Sequence, residues 1–192
     1  MTSIIKVDNI QNSSGTQAMN IHSSGFIIPP AGGIIQTQYT QFTGTNVVAL
    51  SGNTDTALTD LTVNITPTST SSIIHLQAHI FCEHGDDHDT AWNHVFFFFR
   101  DTTKLAHAAS GSRRSGISMS TRTYIDADGA STPEITRYDY FDSPSSTSQI
   151  TYKCGVNART AENLSINRVI NDIDDNGAER GVSFISATEI AG

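Results

Sequence analysis

The chain has 192 residues and a formal net charge of −8, with 11 Lys and Arg residues against 19 Asp and Glu residues. Contact with phosphates requires a basic face, so this charge argues against a nucleic acid partner and against an anionic membrane surface. No stretch has the pattern of a signal peptide or enough apolar residues to span a bilayer. We therefore expect that the protein is made in a cytoplasm and does not insert into a membrane. Ser and Thr number 46 and Lys only three, a composition typical of strands and turns rather than of exposed helices.

Residues 1–33 differ in character from the rest of the chain. Short apolar runs at 3–10 and 18–21 flank a turn-like segment, which predicts a small β-hairpin, and PPAGG at 29–33 ends regular structure. A hairpin of this size is marginal alone in water. We therefore interpret residues 1–33 as an attachment or oligomerisation arm with a hinge, and a frayed terminus is the alternative. The apolar residues of the arm are Ile4, Ile5, Val7, Ile10, Met19 and Ile21.

Residues 34–192 predict one β-sandwich head domain. Strand-like runs recur between clusters of Gly, Asp, Ser and Pro, and no segment has a convincing helical pattern. The predicted strands lie at 34–42, 45–50, 58–67, 73–82, 95–101, 104–109, 116–125, 134–141, 149–156, 163–170 and 182–190. The predicted fold class is all-β, an antiparallel β-sandwich of jelly-roll-like form, with a C1q/TNF-like arrangement as one version of it. Strand number alone does not distinguish this from an immunoglobulin-like topology.

The stretch from Ile73 to Asp101 has the strongest strand signals. Apolar residues alternate along 73–82, and 95–99 is apolar throughout, which indicates a strand covered on both faces. We predict that the two runs form a long central hairpin. His75 and His79 share one face of the first run, where they either line a trimer axis or a polar layer or are ordinary sheet-surface residues.

The two cysteines of the chain, Cys82 and Cys154, are interpreted as small buried hydrophobic residues. A disulfide between them requires that their strands are neighbours.

The loop at the tip of this predicted hairpin carries the candidate binding residues. They are Glu83, His84, Asp86, Asp87, His88, Asp89 and Trp92. Imidazole and carboxylate groups suit zinc or nickel, so His84 and His88 are candidate metal ligands together with Asp86 or Asp89. Their spacing matches no known zinc motif, and a solvated acidic tip or a receptor contact are the alternatives.

A second candidate cation site lies at 172–177, DIDDNG. Asp172, Asp174 and Asn176 match the first half of a calcium loop, but Ser183 occupies the position that requires a bidentate carboxylate. We therefore interpret the segment as a polar turn.

No motif in the sequence carries a catalytic mechanism. No Ser-His-Asp set, phosphate-binding Gly-rich loop or pair of acids has the surrounding pattern that it needs. We expect no enzyme activity and no cofactor. The basic pair Arg113-Arg114 is interpreted as a surface turn or as an inter-subunit salt-bridge donor.

Four segments in this order resemble a known family. They are SIIKVDNIQNSSG at 3–15, LTVNITPTSTSS at 61–72, DSPSSTSQITYK at 142–153, and INR followed by RGVS and EIAG within 166–192. The set resembles the tail-fibre-like virion structural proteins of bacteriophages that infect marine bacteria and cyanobacteria. The loop at 83–93 departs from the resemblance.

This resemblance implies a short N-terminal attachment segment and a jelly-roll head, commonly in a homotrimer. We therefore expect a non-enzymatic virion protein, made in the host cytoplasm. It would be a trimeric tail-fibre or tail-associated component that binds other virion proteins through its arm and contacts a host receptor or glycan. A capsid decoration or cement protein is the alternative, and a soluble lectin-like or metal-binding module is the second alternative.

Overall fold

The protein is an all-β chain, described by a computed structural model for residues 7–21, 23, 25, 27–85, 94–108, 110–120 and 131–192. Fourteen strands and no helix occur within these ranges. The strands are β1 (Asn9–Gln11), β2 (Gln17–Ile21), β3 (Ile27–Ile28), β4 (Ile34–Phe42), β5 (Asn46–Leu50), β6 (Asp55–Ile65), β7 (Ile73–His84), β8 (Val95–Arg100), β9 (Thr103–Leu105), β10 (Ser118–Met119), β11 (Glu134–Asp142), β12 (Ile150–Asn157), β13 (Glu162–Ile166) and β14 (Ser183–Ile190). Most bounds follow the predicted runs, because alternating apolar side chains fit a half-buried pleated surface.

Two antiparallel sheets face each other across one hydrophobic core, which confirms the predicted β-sandwich. In the six-stranded sheet, β14 lies between β4 and β7, and β11 pairs with the other edge of β7. Near the end of β7, β13 pairs with it and in turn with β5. The five-stranded sheet has the order β10-β8-β12-β6, and β9 pairs with β8. From β5 onward the chain passes repeatedly between the two sheets, as it does in jelly-roll-like folds.

The predicted central hairpin is wrong. β7 and β8 are consecutive but belong to opposite sheets: β7 pairs with β11, β13 and β14, whereas β8 pairs with β9, β10 and β12. The chain therefore crosses from one sheet to the other between residues 84 and 95. Alternation determines which face of a strand is buried, but it does not determine which strand lies beside it.

The aromatic run in β8 is buried on both faces of the strand, as predicted. Phe96, Phe97 and Phe98 are fully buried. Phe96 and Phe98 face Tyr138 of β11, with ring centroids 6.2 and 4.6 Å apart. On the opposite face, the Lys104 ammonium group lies 4.0 Å from the centroid of the Phe97 ring. Removal of each phenylalanine side chain from water contributes roughly 2–3 kcal/mol to the free energy of unfolding.

Both cysteines are free and buried, which confirms that they act as small core residues. Burial raises the pKa of Cys154 to about 12. Burial also raises the pKa of Cys82 far above its usual range, and the nearby Glu134 and Glu83 carboxylates raise it further. Neither thiol is therefore a reactive group in the folded protein.

The end of the sandwich near the start of β7 is closed by buried carboxylates. Glu189 has no exposed side-chain surface. Its Oε1 accepts hydrogen bonds from the backbone N of Thr68 (2.6 Å), the Thr68 hydroxyl (2.8 Å) and the Ser72 hydroxyl (2.6 Å). Its Oε2 accepts one from Gln36 Nε2 (2.7 Å). The carboxylate thus joins β4 and β14 to the connection between β6 and β7.

At the same end, Asp142 joins the two sheets. Nη1 of Arg100 donates to both of its carboxylate oxygens, at 2.9 and 3.1 Å, and the Tyr152 hydroxyl donates to Oδ2 at 2.7 Å. Burial and this hydrogen bond to Asp142 hold the pKa of Tyr152 well above its usual range, so the hydroxyl remains a donor. Arg100 and Tyr152 belong to the five-stranded sheet and Asp142 to the six-stranded one.

The N-terminal arm is a small sheet rather than a simple hairpin, because β2 pairs with both β1 and β3. Predicted arm residues in the described part are the exposed Val7, Ile10 and Ile21 and the half-buried Met19. Ile4 and Ile5 lie outside the described residues. After the two prolines, Gly32 N donates to Ala191 O at 2.7 Å and Ala191 N donates to Gly33 O at 2.8 Å. The domain boundary at residue 33 stays a prediction.

Candidate functional site

Glu83 and His84, which we predicted at a loop tip, are buried members of β7. The Glu83 carboxylate accepts hydrogen bonds from Thr132 N (2.7 Å), the Thr132 hydroxyl (2.9 Å) and Ile170 N (2.6 Å). Glu83 therefore holds two chain segments against β7, and its predicted position at a loop tip is wrong. The other predicted residues of this loop, Asp86, Asp87, His88, Asp89 and Trp92, lie outside the described residues.

His84 belongs to a group of polar side chains at one end of the core, which we call the His/Glu cluster: His84, His94, Glu134 and Glu162. One ligand-type atom from each of His84, His94 and Glu162 lies within 4.8 Å of the other two. The two imidazole centroids are 3.7 Å apart. Nε2 of His94 lies 3.0 Å from Oε1 of Glu162, and Nε2 of His84 lies 3.3 Å from Oε2 of Glu134.

Strand alternation explains why these four side chains meet. His84 ends β7 on the face of its core residues, and His94 shares the inward face of Phe96 in β8. Glu134 begins β11 and Glu162 begins β13, each on the face that points to the core farther along its strand. Sequence reasoning missed three of the four. The sequence did contain a signal for them: each is a polar residue at the end of a series of inward-facing residues. The two-residue alternation of a strand makes such a series visible.

Polar groups surround the cluster, but some of its buried nitrogen and oxygen atoms have no hydrogen-bond partner among the described residues. The Ser120 hydroxyl lies 2.5 Å from His84 Nε2. Both ring nitrogens of the fully buried His94, and Oε1 of Glu162, have no hydrogen-bond partner among the described residues. Burial and then the charge of Arg159 lower the pKa of Arg114, whereas the charge of Glu162 raises it. Arg114 therefore lies close to the cluster.

The calcium-like segment is a turn with paired charges. Asp172 lies 3.2 Å from Arg168 Nη1 and 2.6 Å from Arg180 Nη2. Asp174 and Asn176 are exposed, and the next residue, Gly177, donates its backbone N–H to Asp175 Oδ1. These contacts favour the polar-turn interpretation, because the carboxylate that would begin a calcium loop already has two cationic partners.

Aromatic rings lie on the outer surface of the six-stranded sheet, where Tyr39, Phe141 and Phe184 are exposed and two histidines are half-buried. We call this surface the aromatic face: Tyr39, His75, His79, Phe141 and Phe184. The ring of His75 stacks on Phe141 with centroids 4.3 Å apart, and His79 stacks on Phe184 at 5.7 Å. Tyr39 is 71% exposed and Phe141 58% exposed. Cross-strand pairing places these residues on one surface, since paired residues of adjacent strands share a face.

Charges on this surface are arranged in pairs. Arg137 Nε donates to His79 Nδ1 at 2.8 Å, and His75 Nε2 lies 3.3 Å from Asp139 Oδ2. Partial burial, and then the Arg137 charge, lower the pKa of His79, which keeps its ring neutral and able to accept this bond. Sequence alternation placed His75 and His79 together, as the structure does, but it gave no sign of their aromatic partners.

A groove of about 470 Å³ runs beside β10. Its walls include His107, Arg113, Arg114 and Met119. Nη1 of Arg113 donates to the backbone carbonyl of Ser110 at 3.2 Å, so this arginine belongs to a surface turn, as one of our two interpretations stated. The groove concentrates basic side chains in a chain that is acidic as a whole.

Comparison with known proteins finds no family model that matches the chain and no match among curated proteins. No helix within the described ranges is long and apolar enough to cross a membrane. The fold defines the class of the protein: an antiparallel, jelly-roll-like β-sandwich preceded by a small three-stranded sheet.

Proposed function

We propose that this chain is a non-enzymatic structural component of a bacteriophage particle. In this proposal three copies associate through the aromatic face, and the N-terminal arm attaches the trimer to other virion proteins. The observation that carries the proposal is the uncovered aromatic face, with Tyr39 and Phe141 more than half exposed. Exposed apolar patches on soluble proteins mark interaction sites, and aromatic residues are enriched in the centres of interfaces.

The charges of this face suit association between identical chains. Each chain carries a net charge of −8, so copies can approach closely only through a surface without excess negative charge. Arg137 and Asp139, the two charged side chains beside the stacked rings, balance each other. The resemblance to tail-fibre-like proteins, which are commonly homotrimers, supports the same arrangement.

The arm supports the attachment role. The arm leaves Val7 and the strand residues Ile10, Ile21 and Ile27 exposed. A sheet of this size with an uncovered apolar surface gains stability when another protein covers it. A binding site on another virion component would provide that cover.

The test of trimerisation is the native mass of the full-length protein by light scattering at tens of micromolar. We expect three times 20.7 kDa for the wild type. Phe141→Arg places a charge in the proposed interface and should give a monomer, whereas Met119→Arg, at an exposed apolar residue of the other sheet, should leave the trimer intact. A monomeric wild type, or a trimer that survives the Phe141 change, would contradict the role of this face.

Location on the particle is tested by a pull-down of the purified protein on host cells and on empty capsids. Binding to host cells supports a tail-fibre or tail-associated component that contacts a surface receptor or glycan. Binding to capsids alone supports a decoration protein. If the protein binds neither host cells nor capsids and is not incorporated into particles, the virion role is contradicted. That result favours a soluble lectin-like or metal-binding module. Ile10→Asp should weaken particle binding and leave the native mass unchanged.

A further inference from the structure

The His/Glu cluster has the donor set of a transition-metal site. It brings two imidazoles and two carboxylates together from four strand ends, at the end of the core opposite Asp142 and Glu189. Nitrogen from neutral imidazole and oxygen from carboxylate are the ligands that Zn²⁺ and similar ions take in proteins, whereas Ca²⁺ and Mg²⁺ prefer oxygen alone.

A second, independent observation supports a metal site: buried atoms of the cluster have no hydrogen-bond partner among the described residues. His94 has no exposed surface, and neither of its ring nitrogens has a hydrogen-bond partner in the described structure. Its Nε2 lies 3.0 Å from Oε1 of Glu162, but the contact lacks hydrogen-bond geometry, and that oxygen is also without a hydrogen-bond partner there. A buried polar atom without a partner destabilises the folded state, so a ligand that satisfies both atoms is favoured.

The pairing of the side chains is consistent with a cation site. Each imidazole of the cluster lies beside a carboxylate, His84 beside Glu134 and His94 beside Glu162. A divalent cation of the Zn²⁺ class is bound by carboxylate oxygen together with neutral imidazole nitrogen. Arg114, which lines the basic groove, also interacts electrostatically with Glu162. A bound ion would compete with its guanidinium group for the Glu162 carboxylate.

We propose that the His/Glu cluster binds one divalent transition-metal ion of the Zn²⁺ class, with His84, His94 and Glu162 as ligands and Glu134 as the fourth side chain of the site. His94 comes from the five-stranded sheet side and the other three side chains from the six-stranded sheet, so the ion links the two sheets where the chain crosses between them. The Ser120 hydroxyl, now beside His84 Nε2, is the polar group that the ion displaces. This inference does not rest on the virion role or on the oligomeric state.

The experiment uses the full-length protein, freed of metal by a chelator and then titrated with Co²⁺ and Zn²⁺. We expect one Co²⁺ per chain, with the visible absorption of a low-coordinate nitrogen and oxygen site, and displacement by one equivalent of Zn²⁺. The proton NMR spectrum of the wild-type Co²⁺ form should contain two strongly shifted imidazole N–H resonances. This spectrum requires no variant, so it tests the ligand set even if a substitution in the core prevents folding.

Two variants locate the site. Glu162→Gln changes the least buried ligand and His94→Gln the most buried one. Each should weaken Co²⁺ binding by at least about tenfold. His107→Gln, which removes an exposed imidazole of the groove, should bind as the wild type does. A metal-free wild type with native circular dichroism that binds no stoichiometric Co²⁺ would overturn the proposal, as would binding that persists in both ligand variants. Either result would leave a buried His–Glu network without a metal.

Discussion

Replacing Glu189 by Gln tests the account of the buried carboxylate that closes one end of the sandwich. The wild-type carboxylate accepts four hydrogen bonds, three at Oε1 and one at Oε2. Glutamine keeps an uncharged oxygen for the first three but places an amide N–H₂ opposite Gln36 Nε2, which is also a donor. Hydrogen bonds to a charged group are worth about 1.5–3 kcal/mol each and those to a neutral group about half of that. These losses are partly offset because the neutral amide avoids the cost of burying a charge, so we expect a net loss of about 2–3 kcal/mol in the free energy of unfolding at neutral pH.

The pKa of Glu189 predicts how this loss of stability changes with pH. Burial alone would raise the pKa of Glu189, but hydrogen bonds from Ser72, Gln36 and Thr68 outweigh it and hold the pKa below its ordinary value near 4.5. A group whose pKa is lower in the folded state stabilises that state fully above its unfolded pKa. The stabilisation is lost as the pH falls through the folded pKa. The difference between wild type and Glu189→Gln should therefore be largest above about pH 5 and shrink at lower pH.

Urea unfolding followed by tryptophan fluorescence and circular dichroism, repeated between about pH 3 and 7, measures this difference. Glu179→Gln is the matched control, since this exposed carboxylate accepts a hydrogen bond from the single hydroxyl of Ser131. The control should change stability by no more than about 0.5 kcal/mol. A Glu189→Gln loss as small as the control, or a loss that stays constant as the pH falls, would refute the reasoning.

Three further predictions concern packing and buried polar groups. Asp142→Asn should cost about 2–4 kcal/mol in urea unfolding, because the Arg100 guanidinium group loses its charge partner and the Tyr152 hydroxyl its charged acceptor; a loss below about 1 kcal/mol would contradict this. Gly155→Ala should lower Tm by about 3–10 °C in a thermal melt, since a Cβ there would overlap the Phe97 ring; an unchanged Tm would show that the ring can move aside. The two buried thiols should react with a thiol reagent at pH 8 at less than about one hundredth of their rate in the unfolded chain; rapid labelling of the native protein would disprove their burial.

Strand positions were predictable from the sequence because they depend on local alternation. β4 coincides with the predicted 34–42, and β11 and β14 differ from their predicted runs by one residue at one end. Strand partners were not predictable in this way. The pairing of β7 with β14, and not with β8, depends on contacts between residues far apart in the chain. The predicted strand at 104–109 ends at Leu105, and that at 116–125 is reduced in the described residues to Ser118–Met119.

The candidate sites could not be predicted for the same reason, because they depend on which strands are neighbours. His84 was chosen for its place in a polar loop, but alternation along β7 continues through it and places it inside. Alternation places Glu134 and Glu162 on the inward faces of their strands, but this local signal is ambiguous, since a glutamate at the start of a strand is ordinary. They become neighbours of His84 and His94 only because β11 and β13 pair with β7, on opposite edges, near its end. A site assembled from four strand ends therefore requires the strand order, which the sequence alone does not provide.

The position of β14 also determines when the six-stranded sheet can be completed. Residues 183–190 insert between β4 and β7, so the edges of both strands stay open until Ile190 has left the ribosome. Pairings that span so much of the chain are slow to form, because the entropy of closing the loop is lost before the contacts are gained. During this interval two unpaired strand edges are exposed to neighbouring nascent chains. A chain that stops before residue 183 would keep both edges open, and we expect it to accumulate as aggregate rather than as a smaller sandwich.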